Sequence, residues 1–302
     1  MSIPTAPTQA KPRRRTWLRR LRAAGIVAGF LYLALVIALF FVQDALVFPG
    51  RSSQGQPKSA LRAGPGFEIV KLKTTAGERV TAVFGPALSA AGSPLADAAT
   101  RPTILYFYGN GEYLAGAMNK VDALRRRGLN VLMPDFIGFG LSGGKASEQG
   151  CIATADAAYE HLFTRTDVDS RKLIFGGFSM GGAVAIELAS RKPSSGVIVS
   201  CTFTTLTDVA CRQFPFVPMR LLLRHSFPSR ANIAKITAPI FIATGKHDKV
   251  VPAEMSNALA AAAGGRVTEV LMNDAGHDDL VRMAQTDPEV SAALDRFIDA
   301  IR

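Results

Sequence analysis

Leu173-Ile174-Phe175-Gly176-Gly177-Phe178-Ser179-Met180-Gly181-Gly182-Ala183-Val184-Ala185-Ile186-Glu187-Leu188-Ala189 passes from a strand pattern to an apolar helix, with Gly-x-Ser-x-Gly at the joint. In a chain with 27 glycines the bare motif arises readily by chance. A strand before it and a helix after it give it weight. A sharp strand-to-helix turn presents the Ser179 hydroxyl at the carboxyl edge of a sheet, where open α/β sheets bind ligands. The helix N-terminus adds partial positive charge there. Gly177 and Gly181 are the structural elbow, because side chains at either position would collide with neighbouring backbone.

Outward from this joint, short apolar runs alternate with helical patterns. Strands are expected over 67–73, 79–86, 102–108, 130–135, 172–178, 196–201, 239–244 and 268–272. Helices are expected over 117–127, 151–163, 180–191, 252–263 and 288–301. This rhythm predicts an α/β fold with a mostly parallel central sheet covered by helices on both faces. Residues 203–238 interrupt it with Pro215, Pro218 and Pro228 around a short apolar run, which reads as a small cap insertion. There is no internal repeat.

A serine hydroxyl needs a base with a pKa near neutrality, and the chain has four histidines. His277 lies in a late loop, Asn273-Asp274-Ala275-Gly276-His277, after the expected strand 268–272. His161 falls within a helix, His225 in the cap, and His247 beside another candidate, so surface or core roles are expected for these three. Asp248 follows the expected strand 239–244 in Gly245-Lys246-His247-Asp248-Lys249-Val250-Val251-Pro252. Asp274 is the alternative acid.

From about residue 67 onward the chain resembles the α/β-hydrolase superfamily, carried by the Ser179 elbow and by Asp248 in the family's G-x-x-D-x-x-V-P pattern. The order Ser, Asp, His is the one that fold implies. The resemblance implies catalysis by Ser179 as nucleophile, His277 as base and Asp248 as the acid that fixes the imidazole tautomer. It implies an oxyanion hole from the backbone N–H groups of Met180 and Asn110. Relatives usually have His-Gly where this chain has Tyr108-Gly109, which implies a differently braced turn. Gly138, Gly140, Gly143 and Gly144 resemble another loop of the fold and read as structural. The apolar run at 23–42, the compact cap and Tyr108-Gly109-Asn110-Gly111 resemble the membrane-anchored, small-lid branch that includes lipid hydrolases and protein depalmitoylases.

Residues 23–42 read AAGIVAGFLYLALVIALFFV, 20 residues without a charge, long enough to cross a bilayer core of about 30 Å as a helix. Lys11, Arg13, Arg14, Arg15, Arg19, Arg20 and Arg22 precede the run, and Asp44 follows it. The positive-inside rule therefore places a basic tail, 1–22, in the cytoplasm and the hydrolase domain on the far side, periplasmic in a bacterium. A cleaved signal peptide and a twin-arginine export signal at 14–19 are the rivals. A buried core helix would show amphipathic alternation, which is absent. Residues 43–66 read as a turn-rich linker, and 67–302 as one hydrolase domain of a size that supports one core.

The formal charge of +11 falls to +4 without the seven basic tail residues, which argues against nucleic-acid binding. Cys151, Cys201 and Cys211 lack metal-ligand spacing, so no zinc site is indicated. Small buried thiols are the plain reading, and Cys201 with Cys211 is the pair available in an oxidising compartment. The expected chemistry needs no metal or organic cofactor. A dehalogenase or epoxide hydrolase of this fold would have aspartate at 179. Carboxylic esters or thioesters on lipidic or acylated substrates are the expectation, from the anchor and the apolar cap residues Phe214, Phe216, Met219 and Leu221 to Leu223. A serine peptidase or amidase, or a catalytically silent membrane-tethered binding protein, is the alternative.

Overall fold

The computed structural model describes residues 14–61 and 66–302, and its chain forms two compact units, residues 1–43 and 44–302. Lys11 and Arg13 of the basic tail, and Gly64 and Pro65 of the expected linker, lie outside the described residues. The first unit is the greater part of α1 (Arg14–Val47), of which Trp17–Val47 is long and apolar enough to be a candidate membrane span. Most of its apolar side chains are exposed, Phe30 at 69% and Phe41 at 75%. That is the reverse of a buried core helix. The helix continues beyond the expected 23–42 at both ends because Arg19, Arg20, Arg22 and Gln43 are all compatible with helix.

In the second unit the strands are β1 (Glu68–Lys73), β2 (Arg79–Gly85), β3 (Thr103–Phe107), β4 (Asn130–Pro134), β5 (Leu173–Phe178), β6 (Gly196–Ser200), β7 (Ile240–Gly245) and β8 (Val267–Met272). Among the described residues they form one eight-stranded sheet ordered β1-β2-β4-β3-β5-β6-β7-β8. β2 runs antiparallel to both β1 and β4, and all remaining pairs are parallel. Every residue of β3, β4, β6 and β7 is buried, as expected of parallel strands covered on both faces. The edge strand β8 is largely open to solvent.

The covering helices are α2 (Met118–Arg125), α3 (Glu148–Thr164), α4 (Met180–Ala189), α8 (Ala253–Ala262), α9 (Leu280–Thr286) and α10 (Pro288–Asp299), with α5 (Leu206–Gln213), α6 (Met219–Leu222) and α7 (Ser229–Ile233) making up the cap region. α4 is buried on nearly all sides, which is why its sequence is apolar all round and not amphipathic. α9 was not expected. Its seven residues are too short for a periodic signal, and its start depends on Asp279, whose side chain accepts the Val281 N–H at 2.7 Å.

The segment read as a linker is also built differently. Phe48 is fully buried, single 3-10 turns occupy Pro49–Ser53 and Pro57–Ser59, and Ser53 and Ser59 are buried. The packed unit therefore starts near residue 44 and not at 67. Proline, glycine and serine mark a chain that turns often, and a packed segment satisfies that composition as well as a loose one.

Candidate active site

β5 lies centrally and ends at Phe178, where the Ser179 N–H donates to the Ser200 carbonyl of β6 at 2.9 Å. Ser179 has φ 54° and ψ −118°, a conformation that non-glycine residues rarely adopt and that is held only when the surroundings over-determine it. The surroundings here are two bare glycines. A Cβ at Gly177 would fall on the Gly181 carbonyl group, and one at Gly181 on the Phe107 carbonyl of β3. The first turn of α4 can thus lie close against β5 and β3, with the Ser179 side chain at the sheet's carboxyl edge.

Asp248 stands three residues beyond β7, and its N–H donates to the Gly245 carbonyl at 3.2 Å. Its Oδ1 accepts the Val250 and Val251 N–H groups, both at 2.8 Å, and its Oδ2 lies 2.7 Å from His277 Nδ1. Burial alone would raise this carboxyl's pKa, but the His277 bond and the two N–H donors outweigh it and hold it below the usual carboxylate range. A carboxylate only accepts, so Nδ1 carries the proton and Nε2 is left as the acceptor. His277 Nε2 lies 3.0 Å from Ser179 Oγ.

The strand order sets β5 and β8 three spacings apart, about 14 Å. His277 reaches Ser179 because the chain after β8 folds back across the sheet edge. His247 N–H bonds the Ala275 carbonyl at 2.9 Å, the Leu280 N–H bonds Ser200 Oγ at 3.2 Å, and Tyr106 Oη of β3 donates to Asp279 Oδ2 at 2.6 Å. Asp274, the alternative acid, has no side-chain bond to His277; that place is taken by Asp248. His161 is on α3, His247 is exposed, and His225 is buried with Nε2 2.9 Å from Asp44 Oδ1.

Met180 heads α4 directly after Ser179. Asn110 lies in the turn after β3, and its backbone N–H donates to no protein acceptor among the described residues. The Tyr108 departure has a structural answer. Tyr108 is fully buried, donates to Asp135 Oδ1 at 2.8 Å and accepts the Phe136 N–H at 3.2 Å. Burial and the neighbouring Asp135 raise its phenol pKa well above the usual tyrosine value, so it remains a neutral donor. Asp135 also accepts the Leu114 and Leu141 N–H groups, at 2.7 and 3.0 Å, closing the braces around the turn. Gly138, Gly140 and Gly144 have positive φ in the neighbouring loop, which fits the structural reading of that run.

A buried ionic cluster beneath the site escaped the sequence reading. Lys120 Nζ lies 2.6 and 2.7 Å from the two Glu112 oxygens and 3.1 Å from Asp279 Oδ2, while Glu112 Oε2 also accepts the Gly109 N–H at 2.9 Å. Lys120 sits over the Phe178 ring at 5.2 Å, and that ring is 5.0 Å from the His277 ring. The available signal was a cation on the face of α2 marked by Val121 and Leu124. A cavity of about 280 Å³ opens beside these groups, lined in part by Phe178, His277, Asn119, Val281 and Arg282.

Cys201 Sγ, the Asp248 carboxylate and a His277 ring nitrogen lie within 4.8 Å of one another, the one three-donor set of its kind among the described residues. Both Asp248 oxygens are already engaged, and burial pushes the Cys201 thiol up to about 12, where it stays protonated. Cys151, Cys201 and Cys211 are free thiols.

Residues 98–231 match the model of the family described as "Serine aminopeptidase, S33". An uncharacterized protein of Mycobacterium tuberculosis is 32% identical over 265 residues, spanning 87% of this chain and 90% of the relative. The alpha/beta hydrolase domain-containing protein WAV2 of Arabidopsis thaliana is 30% identical over 261 residues, 80% of each chain. Among solved structures, an esterase of Pyrococcus furiosus superposes with a TM-score of 0.61 at 21% identity, covering 78% of this chain and 92% of that one.

Proposed function

The chain belongs to the α/β-hydrolase superfamily, and on that premise we propose that this hydrolase cleaves carboxylic esters or thioesters through an acyl-enzyme on Ser179. One observation carries the reading: the run of short contacts from Ser179 Oγ to His277 Nε2, 3.0 Å, and from His277 Nδ1 to Asp248 Oδ2, 2.7 Å. In the first step Ser179 Oγ attacks the substrate carbonyl carbon while its proton passes to His277 Nε2. The imidazolium so formed is stabilised by Asp248. The carbonyl oxygen becomes an oxyanion that the N–H groups of Met180 and Asn110 receive. The tetrahedral intermediate collapses, the C–O or C–S bond breaks, and His277 returns its proton to the leaving alcohol or thiol. Water, deprotonated by the same nitrogen, then attacks the acyl-enzyme and releases the acid.

Lipidic or acylated substrates are favoured by the apolar helix α1 and by a cap that exposes Phe214, Phe216 and Leu221. A peptidase or amidase activity is the second reading, favoured by the description of the matching family model. A silent binding protein has no need of the strained Ser179 or of its aligned imidazole.

An alkyl fluorophosphonate is expected to label the wild-type chain and not Ser179→Ala; equal labelling of both rules out the serine mechanism. Ester and amide are separated by comparing p-nitrophenyl esters of increasing chain length with an aminopeptidase substrate. Turnover of the esters is expected to exceed that of the amide by about 100-fold or more, as befits the better leaving group. The basic residues from Lys11 to Arg22, ahead of the apolar run at 23–42, further support a cytoplasmic N-terminus with the hydrolase unit across the membrane. Protease added to intact spheroplasts should then digest that unit, and digestion only after lysis reverses the orientation.

A further inference from the structure

The turn carrying Asn110 is held by the stretch of chain that leaves the apolar helix. Asn110 Nδ2 donates to the Val47 carbonyl at 3.0 Å, and the Gly50 N–H donates to the Asn110 carbonyl at 2.9 Å. The two bonds run in opposite directions between the same two stretches. Together they fix the side chain and the following peptide of Asn110, leaving its N–H as the group without a protein partner among the described residues.

The stretch is itself firmly seated. Phe48 is fully buried, with its ring 4.9 Å from the His225 ring and 6.4 Å from the Phe227 ring. Ser53 Oγ accepts the Gly140 N–H at 2.9 Å, and the Gly55 N–H bonds the Gly140 carbonyl at 2.9 Å. Gly50 has no room for a side chain, since a Cβ there would fall on the Phe139 ring and the Glu112 carbonyl oxygen. Phe139 belongs to the glycine-rich loop and Glu112 to the Asn110 turn, so Gly50 is wedged between the two.

We infer that residues 47–50 are a strut of the oxyanion hole, and that the Asn110 side chain is a positioning residue that aims its own backbone N–H at the oxyanion formed on Ser179 attack. This rests on the serine mechanism proposed above. The side chain does not itself touch substrate; it holds the turn that does. The entry of the chain into the domain thereby belongs to the catalytic architecture, and a change at residue 47 or 50 is transmitted to Asn110 through two hydrogen bonds.

The test uses the full-length protein in detergent, with active sites counted by fluorophosphonate titration. Asn110→Ala removes the tie, Asn110→Asp replaces the donor with an acceptor facing the Val47 carbonyl, and Gly50→Ala forces the strut away. Each is measured for kcat and KM on a p-nitrophenyl ester, and for affinity toward a trifluoromethyl ketone, whose hemiketal on Ser179 places an oxyanion in the hole. Expected is a fall in kcat per titrated site of about 10- to 100-fold, with KM within about threefold and ketone affinity falling in step with kcat. A purely structural role would lower the thermal midpoint and the number of titrated sites, leaving kcat per site and ketone affinity unchanged, and that result overturns the inference. If Asn110→Ala does not fold, Asn110→Asp and Gly50→Ala are judged by the same criterion. Labelling that survives Ser179→Ala defeats the serine mechanism itself; normal Ser179-dependent labelling with insensitive strut variants defeats the strut alone.

Discussion

Asp248→Asn is expected to lower kcat on a p-nitrophenyl ester by about 10⁴-fold, roughly 5 kcal/mol of transition-state stabilisation. The size follows from the tautomer. The asparagine oxygen keeps the Val250 and Val251 N–H groups, which places its NH₂ against His277 Nδ1, where the carboxylate Oδ2 now lies at 2.7 Å. Two donors cannot face each other, so the ring proton moves to Nε2 and the nitrogen beside Ser179 Oγ can no longer accept. A variant that keeps more than about a tenth of wild-type kcat would remove Asp248 from the mechanism.

The same carboxylate carries a stability signature with a definite sign. Its native pKa lies below the usual carboxylate value, so the unfolded chain binds this proton more readily than the native one. Its contribution is complete above the unfolded pKa, about 4, and is lost as pH falls through the lower native value. Urea midpoints measured from about pH 5 downward should therefore decline more steeply for wild type than for Asp248→Asn.

The second large effect is on folding. Lys120→Met is expected to destabilise the protein by about 3 kcal/mol, the lower end of what breaking a buried ion pair costs, because Glu112 retains some contact with solvent. Burial by itself would push this ammonium's pKa down, but Asp279 and Glu112 hold it above the usual lysine range, so the native state keeps it charged. Without it, the nearly buried Asp279 keeps only Tyr106 Oη and the Val281 N–H as donors, and Glu112 loses both of its short ammonium contacts. Methionine still covers the Phe178 ring, so the loss reports charge more than packing. A change of less than about 0.5 kcal/mol in urea unfolding would show that the cluster is not held by its cation.

The sheet was largely legible because its strands are short apolar runs bounded by turn residues, and parallel strands buried on both faces have no other composition available. The elbow was legible because its motif is short and contiguous, and the Gly177 requirement is written locally in its contact with Gly181, although Gly181 is itself required by the distant Phe107 carbonyl of β3. α9 was not legible, since a seven-residue helix that begins on Asp279 has too few turns to show a period. Nor was the Lys120 cluster, whose members lie on a helix, a turn and a distant loop.

The sequence by itself determined which residues could form the site. The motif at Ser179, the loop at Asp248, the scarcity of histidines and the apolar run at 23–42 are all properties of single short stretches. The tertiary structure alone decided how those stretches meet. It folds the chain after β8 back across the sheet edge to bring His277 to Ser179, seats Lys120 between two carboxylates, and joins residues 47–50 to the Asn110 turn. Each of these joins at least one pair of segments dozens of residues apart, His277 to Ser179, Asp279 to Lys120 and Val47 to Asn110, and the geometry depends on strand order and packing, which no local pattern of side chains encodes.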